Sequence, residues 1–524
     1  MKIKTCWDFR VFKKKNFSKE RKLILKNIED FYNRWSKKDL RKPKNLLRFL
    51  KNYEEFISAP PGIFAREYLY YFLKSLLDTK NKKYKEKLKE IEDLRENANK
   101  KIFSLLEFLK SDKEKDKILK SPILRNYKNF LEIFLSNFQF PEPFKNKNFA
   151  LLRENIDKEI KKSDWKLFTD KKLQDKILKK YSKFVEKAIN EVFKEFLENE
   201  KKFNLPFTYY ESFLPKGFDP KIIKIIKEAI LENKEVLKKE IGEYEIQKQK
   251  IEEFFKSKIS IKKAISLVIE IYNKIDKSFG ELVLEYFQKG LIDVYKRKNK
   301  YLLPRVILSE VDFLPNFILL NFKNTFENVF SIIHEITHLL HYEFLKRYNS
   351  PLNRKQSVLV KEIIAGIFVF LALEVLKEKY DKELIEKKIK GERAWTILYD
   401  MAILSTQEEI YKIYKKKGRV KIREINKVYK KNVALFLGKE MVKRFSDYRW
   451  ILNFYRGLAF WHFPYFVGSL LSMIFIKEYY KNKMGFKKKL FRLMGAGLNK
   501  SFEEIFKEIG YDIYKKDFWR DCLV

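Results

Sequence analysis

At 524 residues the chain is long enough for two or more lobes with sizeable cores, and it is strongly basic, with 114 Lys and Arg against 71 Asp and Glu for a formal charge of +43. Its two cysteines, Cys6 and Cys522, stand near opposite ends without C-x-x-C spacing, so no disulfide framework is implied. The lysines are interleaved with Glu and Ile along the whole chain, and runs such as Lys13–Lys15 and Lys487–Lys489 are short. That pattern reads as a solvated lysine-rich surface rather than a nucleic-acid footprint, and its field favours acidic peptides at long range.

The first residues, Met1–Asp8, lack an apolar signal region, and a cytoplasmic protein is expected. Proline and glycine are scarce, at 13 and 15. Long stretches such as Lys83–Leu109 and Asp170–Asn204 mix Lys and Glu with Leu, Ile and Phe at helical spacing. The chain is therefore expected to be mainly α. Residues 205–216, with Pro206, Tyr209, Tyr210 and Pro215, break the pattern and set the expected boundary between an N-terminal helical lobe (1–204) and a catalytic lobe (205–524). The convincing strand-like material is Arg305–Phe322, rich in Val, Ile and Leu; an edge strand there suits pairing with an extended peptide.

Next comes the most informative segment. The chain has only four histidines, and three fall within eight positions, in Ser331-Ile-Ile-His334-Glu335-Ile-Thr-His338-Leu-Leu-His341. His334, Glu335 and His338 read as H-E-x-x-H. Residues four apart share a helix face, so both imidazoles reach one zinc ion while Glu335 projects beside it. A catalytic zinc takes three protein ligands and keeps one open position. His341 is one choice for the third, but it must reach back a full turn. Downstream, Val360–Leu373 is an apolar run that carries Glu362 near its start. A buried carboxylate there is costly unless a cation compensates it, which selects Glu362, with Glu374 as a further alternative. Finally, Leu458–Ile476 contains no Asp, Glu, Lys or Arg, although it holds His462, Pro464, Gly468, Ser469 and Ser472. A buried helix is expected there rather than a membrane span.

Taken together, these segments resemble the oligoendopeptidase F and thimet oligopeptidase family of gluzincin peptidases, which carry H-E-x-x-H on one helix and a ligating Glu about 25 residues later on the next. Asn316–Phe322 followed by Thr325–Phe330 looks like the strand and turn before that family's zinc helix. Leu291-Ile-Asp-Val-Tyr295 resembles its W-I-D-V-Y segment, and Phe463-Pro-Tyr-Phe-Val-Gly-Ser-Leu-Leu-Ser472 resembles its F-P-Y-x-F-G-Y-L-x-S run. The opening Thr5-Cys-Trp-Asp8 also looks like the family's start. Three departures stand out: Thr337 where relatives carry Gly, Ser469 where they carry a second Tyr, and Lys298–Arg305 in place of a Ser-Gly-rich stretch.

The resemblance implies a two-lobed, zincin-like helical fold with a small β-sheet next to the zinc helix and an enclosed substrate channel. It implies Zn2+ held by His334, His338 and Glu362, and Glu335 as general base. Tyr465 is the expected oxyanion donor, with His462 second and Tyr455 more distant. The expected activity is cleavage of short unfolded peptides by a monomeric enzyme with no specific nucleic-acid or membrane partner. The alternative is a catalytically weak or inactive peptidase scaffold that binds nucleic acid or acidic partners through its basic surface.

Overall fold

The computed structural model describes residues 3–12, 16–137, 147–163, 166–203, 219–309, 311–354, 358–454 and 463–523. It is mainly helical, as the composition predicts, with one three-stranded sheet. The chain forms two compact units, each assembled from separate stretches: residues 1–135, 252–355 and 494–500 in the first, and 136–251, 356–493 and 501–524 in the second. The boundary expected at 204/205 lies outside the described residues.

The first unit opens with helices Phe17–Ser36, Pro43–Ser58, Ala65–Leu77 and Lys82–Ser104. The first is started by Asn16, whose side chain accepts from the backbone N–H groups of Ser18 and Lys19, two of the donors that a helix start otherwise leaves unpaired. Apolar residues at helical spacing bring Phe31, Trp35, Phe49 and Tyr53 into one aromatic core. The expected helix over 83–109 ends at Ser104 and continues as a tighter turn over Glu107–Lys110.

The elements that carry the candidate site follow. Helix α1 (Ile261–Ile275) is capped by Ser260, and α2 (Lys277–Lys289) by Asp276; α2 is closed by Gly290 in the left-handed region at φ +70°. Strands β1 (Ile292–Tyr295), β2 (Arg305–Ile307) and β3 (Phe317–Phe322) follow in order. Spatially the order is β1-β3-β2, with β1 parallel and β2 antiparallel to β3. In the antiparallel pair Arg305 faces Leu319, Val306 faces Ile318 and Ile307 faces Phe317. The stretch read as strand, Arg305–Phe322, supplies two of the three strands; β1, known in advance only as a sequence match, is the third.

A buried ion cluster ties β1 to β3. Asp293 pairs with the Lys300 ammonium at 2.6 Å and accepts a hydrogen bond from Arg297 at 2.6 Å, and Lys300 also donates to the carbonyls of Tyr295 and Leu320. Lys300 thus has a structural use inside the segment that departs from the family's Ser-Gly-rich stretch. The N-terminus lies beside the same sheet: Val294 donates its N–H to the Thr5 carbonyl, and the Trp7 indole donates to the Ile318 carbonyl.

Helix α3 (Phe326–Tyr348) buries Val329, Ile332, Ile333, Ile336, Leu339, Leu340 and Phe344 against α1, β2 and β3. These positions repeat at three and four residues, so one broad stripe of the helix is committed to the core.

In the second unit, the stretch expected to be helical over 170–204 forms Lys171–Phe203, and a further long helix is Lys382–Lys417. Helices α4 (Val358–Lys377) and α5 (Phe463–Lys481) pack along one another. Small residues make that approach possible. A Cβ on Gly366 would stand 2.4 Å from Ser472 Oγ, and one on Gly468 would stand 3.2 Å from the carbonyl carbon of Glu362. Among the described residues, no helix is long and apolar enough to cross a membrane.

Candidate metal centre

The site is built on α3. Its four-residue spacing puts His334 and His338 one above the other on the same face, with Nε2 atoms 3.0 Å apart and rings nearly perpendicular at 87°. Two nitrogens so close must share either a proton or a cation. Nitrogens bound to one tetrahedral zinc at about 2.0–2.1 Å stand roughly 3.3 Å apart, so the pair needs only a small adjustment to become two ligands. A carboxylate oxygen of Glu362, near the start of α4, completes a group whose possible ligand atoms all lie within 4.8 Å of one another. Among the described residues, this is the group of His, Cys, Asp and Glu side chains able to share an ion.

The alternatives sit elsewhere. His341 is buried at 1% exposure on α3 and lies outside that group. Glu374, on α4, forms an ion pair with Lys377 at 2.6 Å and accepts a hydrogen bond from the Tyr480 hydroxyl.

Charge states in the site suit a cation. Burial pushes the His334 imidazole down to about 4, so it is neutral and free of a competing proton at neutral pH. Glu335 is 9% exposed, and burial raises its carboxyl to about 7. The Val306 backbone N–H, which donates to it, and the nearby positive charge of Arg305 hold it below a still higher value. A carboxyl poised near neutrality can both take and return a proton. Its neighbour in this respect is a strand residue, Val306, which sequence reading did not single out.

Thr337, where the resemblance expects Gly, is buried and has its hydrogen bonds made. Its hydroxyl donates to the Ile333 carbonyl at 2.8 Å, and the fully buried Tyr272 hydroxyl on α1 donates to the same carbonyl at 2.7 Å while standing 2.8 Å from Thr337 Oγ1. The extra side chain is thus accommodated by a local hydroxyl pair. Ser469 lies in α5. Tyr465 also falls within that helix, but its side chain, and the whole of His462 and Tyr455, lie outside the described residues.

Comparison with known proteins extends the picture. The chain is 23% identical over 313 residues to an oligoendopeptidase F homolog of Mycoplasma genitalium, a match spanning 55% of this chain and about half, 51%, of that relative. A crystal structure described as a peptidase from Chlamydophila abortus superposes with a TM-score of 0.73, at 15% identity, over 99% of this chain and 98% of that one. The fold is that of the oligoendopeptidase F peptidases. A protein described as an oligoendopeptidase F from Bacillus anthracis matches with a TM-score of 0.66, at 12% identity, over 98% and 95% of the two chains. The M32 carboxypeptidase of Deinococcus radiodurans matches at 0.56, with 11% identity, over 90% and 96%. No family model matches the chain. The oligoendopeptidase F resemblance read from the motifs is thus found again in a curated relative and in solved structures, and the mainly helical architecture with its small sheet against α3 matches theirs.

Proposed function

We propose that the chain is a zinc-dependent endopeptidase that hydrolyses short unfolded peptides. The observation that carries this reading is the convergence of His334, His338 and Glu362 with the buried carboxyl of Glu335 next to them. The peptidase names of the relatives support it and do not favour a nucleic-acid-binding scaffold.

In this reading His334, His338 and Glu362 hold the ion. A zinc ion there supplies a Lewis acid for the scissile carbonyl and an acidified water. Glu335 accepts the proton of the attacking water, aided by a carboxyl that burial has made more basic than an ordinary glutamate. The same group then donates the proton to the leaving amine. The hydroxyl of Tyr465 donates to the developing oxyanion, with His462 as the second choice. The Thr337–Tyr272 pair holds the helix turn that carries the histidines. A monomer working in the cytoplasm, with a channel that admits only short peptides, completes the proposal.

The test is digestion of a mixed peptide library by metal-loaded wild type and by Glu335→Gln. The reading requires cleavage by the first and near-complete loss in the second. Wild-type protein that binds RNA in a salt-dependent way and cuts no peptide would favour the scaffold alternative instead.

A further inference from the structure

Beside the sheet, in the first unit, runs a groove of about 620 Å3 including its open mouth, lined among others by Tyr68, Phe72, Arg95, Arg305, Val306 and Ser309. We propose that this groove is a specificity subsite for an acidic side chain of the bound peptide, with Arg305 as the cation that receives it. The proposal rests on the peptidase reading above and goes beyond it in naming the substrate class.

The guanidinium of Arg305 stands over two rings, 5.4 Å from the centroid of Phe72 and 5.5 Å from that of Tyr301. Stacking of this kind fixes the plane in which the N–H edges donate to a planar carboxylate. Its Nε is buried and donates no hydrogen bond, and among the described residues none forms an ion pair with it. A desolvated donor without an acceptor is costly, so the site gains by taking one from a ligand. Within the same unit the contrast is plain: the helix lysine Lys100 is paired with Glu96 one turn away.

A second cation lines the same space. Arg95 lies over the ring of Tyr68 at 4.3 Å and feels the charge of Glu92, one turn back on its own helix. Arg95 is thus partly neutralised.

Position ties the groove to the chemistry. Val306 both lines the groove and gives its N–H to Glu335. Its strand, β2, is at the edge of the sheet. A peptide extended along that edge presents alternate side chains to one face about 6.6–6.8 Å apart, so a residue near the scissile bond reaches the arginine. The volume is ample for a glutamate or aspartate side chain.

The formal charge of +43 also draws acidic peptides, and ionic strength separates the two effects. The screening length is about 10 Å at 0.1 M salt and about 3 Å at 1 M, so the general field vanishes at high salt while a contact in the groove persists. The experiment compares matched peptides carrying Glu or Gln at each position in turn. In wild type the kcat/KM ratio of the best Glu peptide over its Gln partner should be about ten- to a hundredfold and should survive 1 M salt, as expected for charged hydrogen bonds. In Arg305→Gln the ratio should fall to within about twofold, and Arg305→Lys should restore part of it. Should Arg305→Gln fail to fold, Arg95→Gln gives the same readout with a smaller drop. A ratio near one in wild type at 1 M salt, or one unchanged in Arg305→Gln, overturns the proposal. Anisotropy binding of the same labelled pairs to metal-free protein is run in parallel. If no peptide is cut but Glu peptides still bind better through Arg305, the peptidase reading has failed and the subsite stands; equal binding of both sinks the subsite alone.

Discussion

Gly468 lies against the backbone of Glu362: a Cβ at position 468 would stand 3.2 Å from the Glu362 carbonyl carbon and 3.3 Å from its oxygen and from the Ile363 nitrogen. Ser472, one turn on, donates its hydroxyl to the Gly468 carbonyl at 2.6 Å. The placement of the carboxylate on α4 therefore depends on a glycine more than a hundred residues away. Gly468→Ala forces the two helices apart by a few tenths of an ångström, with an overpacking cost of about 1–3 kcal/mol. Metal affinity should fall about ten- to a hundredfold, the usual effect of disturbing what holds a ligand. Chelator competition on the purified variant checks this; unchanged affinity would remove Glu362 from the ligand set.

Ligand substitution separates Glu362 from its alternatives. Glu362→Ala should lose the metal, while His341→Ala and Glu374→Ala should keep it, because neither residue belongs to the group within reach of one ion. Glu335→Gln should retain the metal and lose nearly all turnover, since an amide accepts no proton from water. Metal content and peptide turnover measured on the same four preparations decide the assignment. Normal metal content in Glu362→Ala with loss in His341→Ala would move the third ligand to His341.

The metal-free protein should show an unusual pH response. His334 is depressed to about 4, so the native state binds fewer protons than the unfolded chain between pH 4 and 6.5, and this group makes stability rise with pH. Glu335 is raised to about 7, so the native state binds more protons between about pH 4.5 and 7, and this group makes stability fall as pH rises. The two slopes oppose one another over pH 4.5–6.5. Glu335→Gln removes the second, and its stability should climb more steeply than wild type, by at most about 1.4 kcal/mol per pH unit. Urea midpoints across that range, with a chelator present, test it; parallel curves would contradict the assigned environments.

Tyr272→Phe should cost about 1–3 kcal/mol, since it deprives the buried Ile333 carbonyl and Thr337 hydroxyl of a partner. Thr337→Gly in the same background should recover part of that loss in the packing around α3 while adding the flexibility of a helical glycine, about 1 kcal/mol. Thermal melts of the two single variants and the double variant check the coupling, and additive effects would show that the hydroxyls act independently.

Much of this arrangement was readable from the chain. His334, Glu335 and His338 were visible because a histidine-poor sequence places three in eight residues, and Glu362 because an acid in an apolar helix needs a cation. The strand pair around 305–322 showed itself by composition. Strand β1 did not: four residues containing Asp293 give no alternation to detect, and its stability comes from Lys300 and Arg297 on that carboxylate. Tyr272 was invisible for a related reason, since its partner Thr337 is 65 positions away and only packing of α1 on α3 brings them together. The same holds for Val306, whose backbone N–H reaches Glu335 without any side-chain signal.

Tyr465→Phe tests the oxyanion donor that the motif implies. A hydroxyl that acts on the transition state lowers kcat by about 10²–10³ with little change in KM when removed, and leaves metal content intact. Steady-state kinetics on one good peptide suffice. Full activity in Tyr465→Phe together with collapse of kcat in His462→Ala would assign the role to the histidine.

The most direct test of the central claim is the zinc content of the wild-type chain after dialysis against a weak chelator. Two helix-borne imidazoles and a carboxylate converging on one point should retain close to one equivalent per chain. A value near zero in folded wild-type protein would contradict the metal centre, and with it the hydrolytic reading built on it.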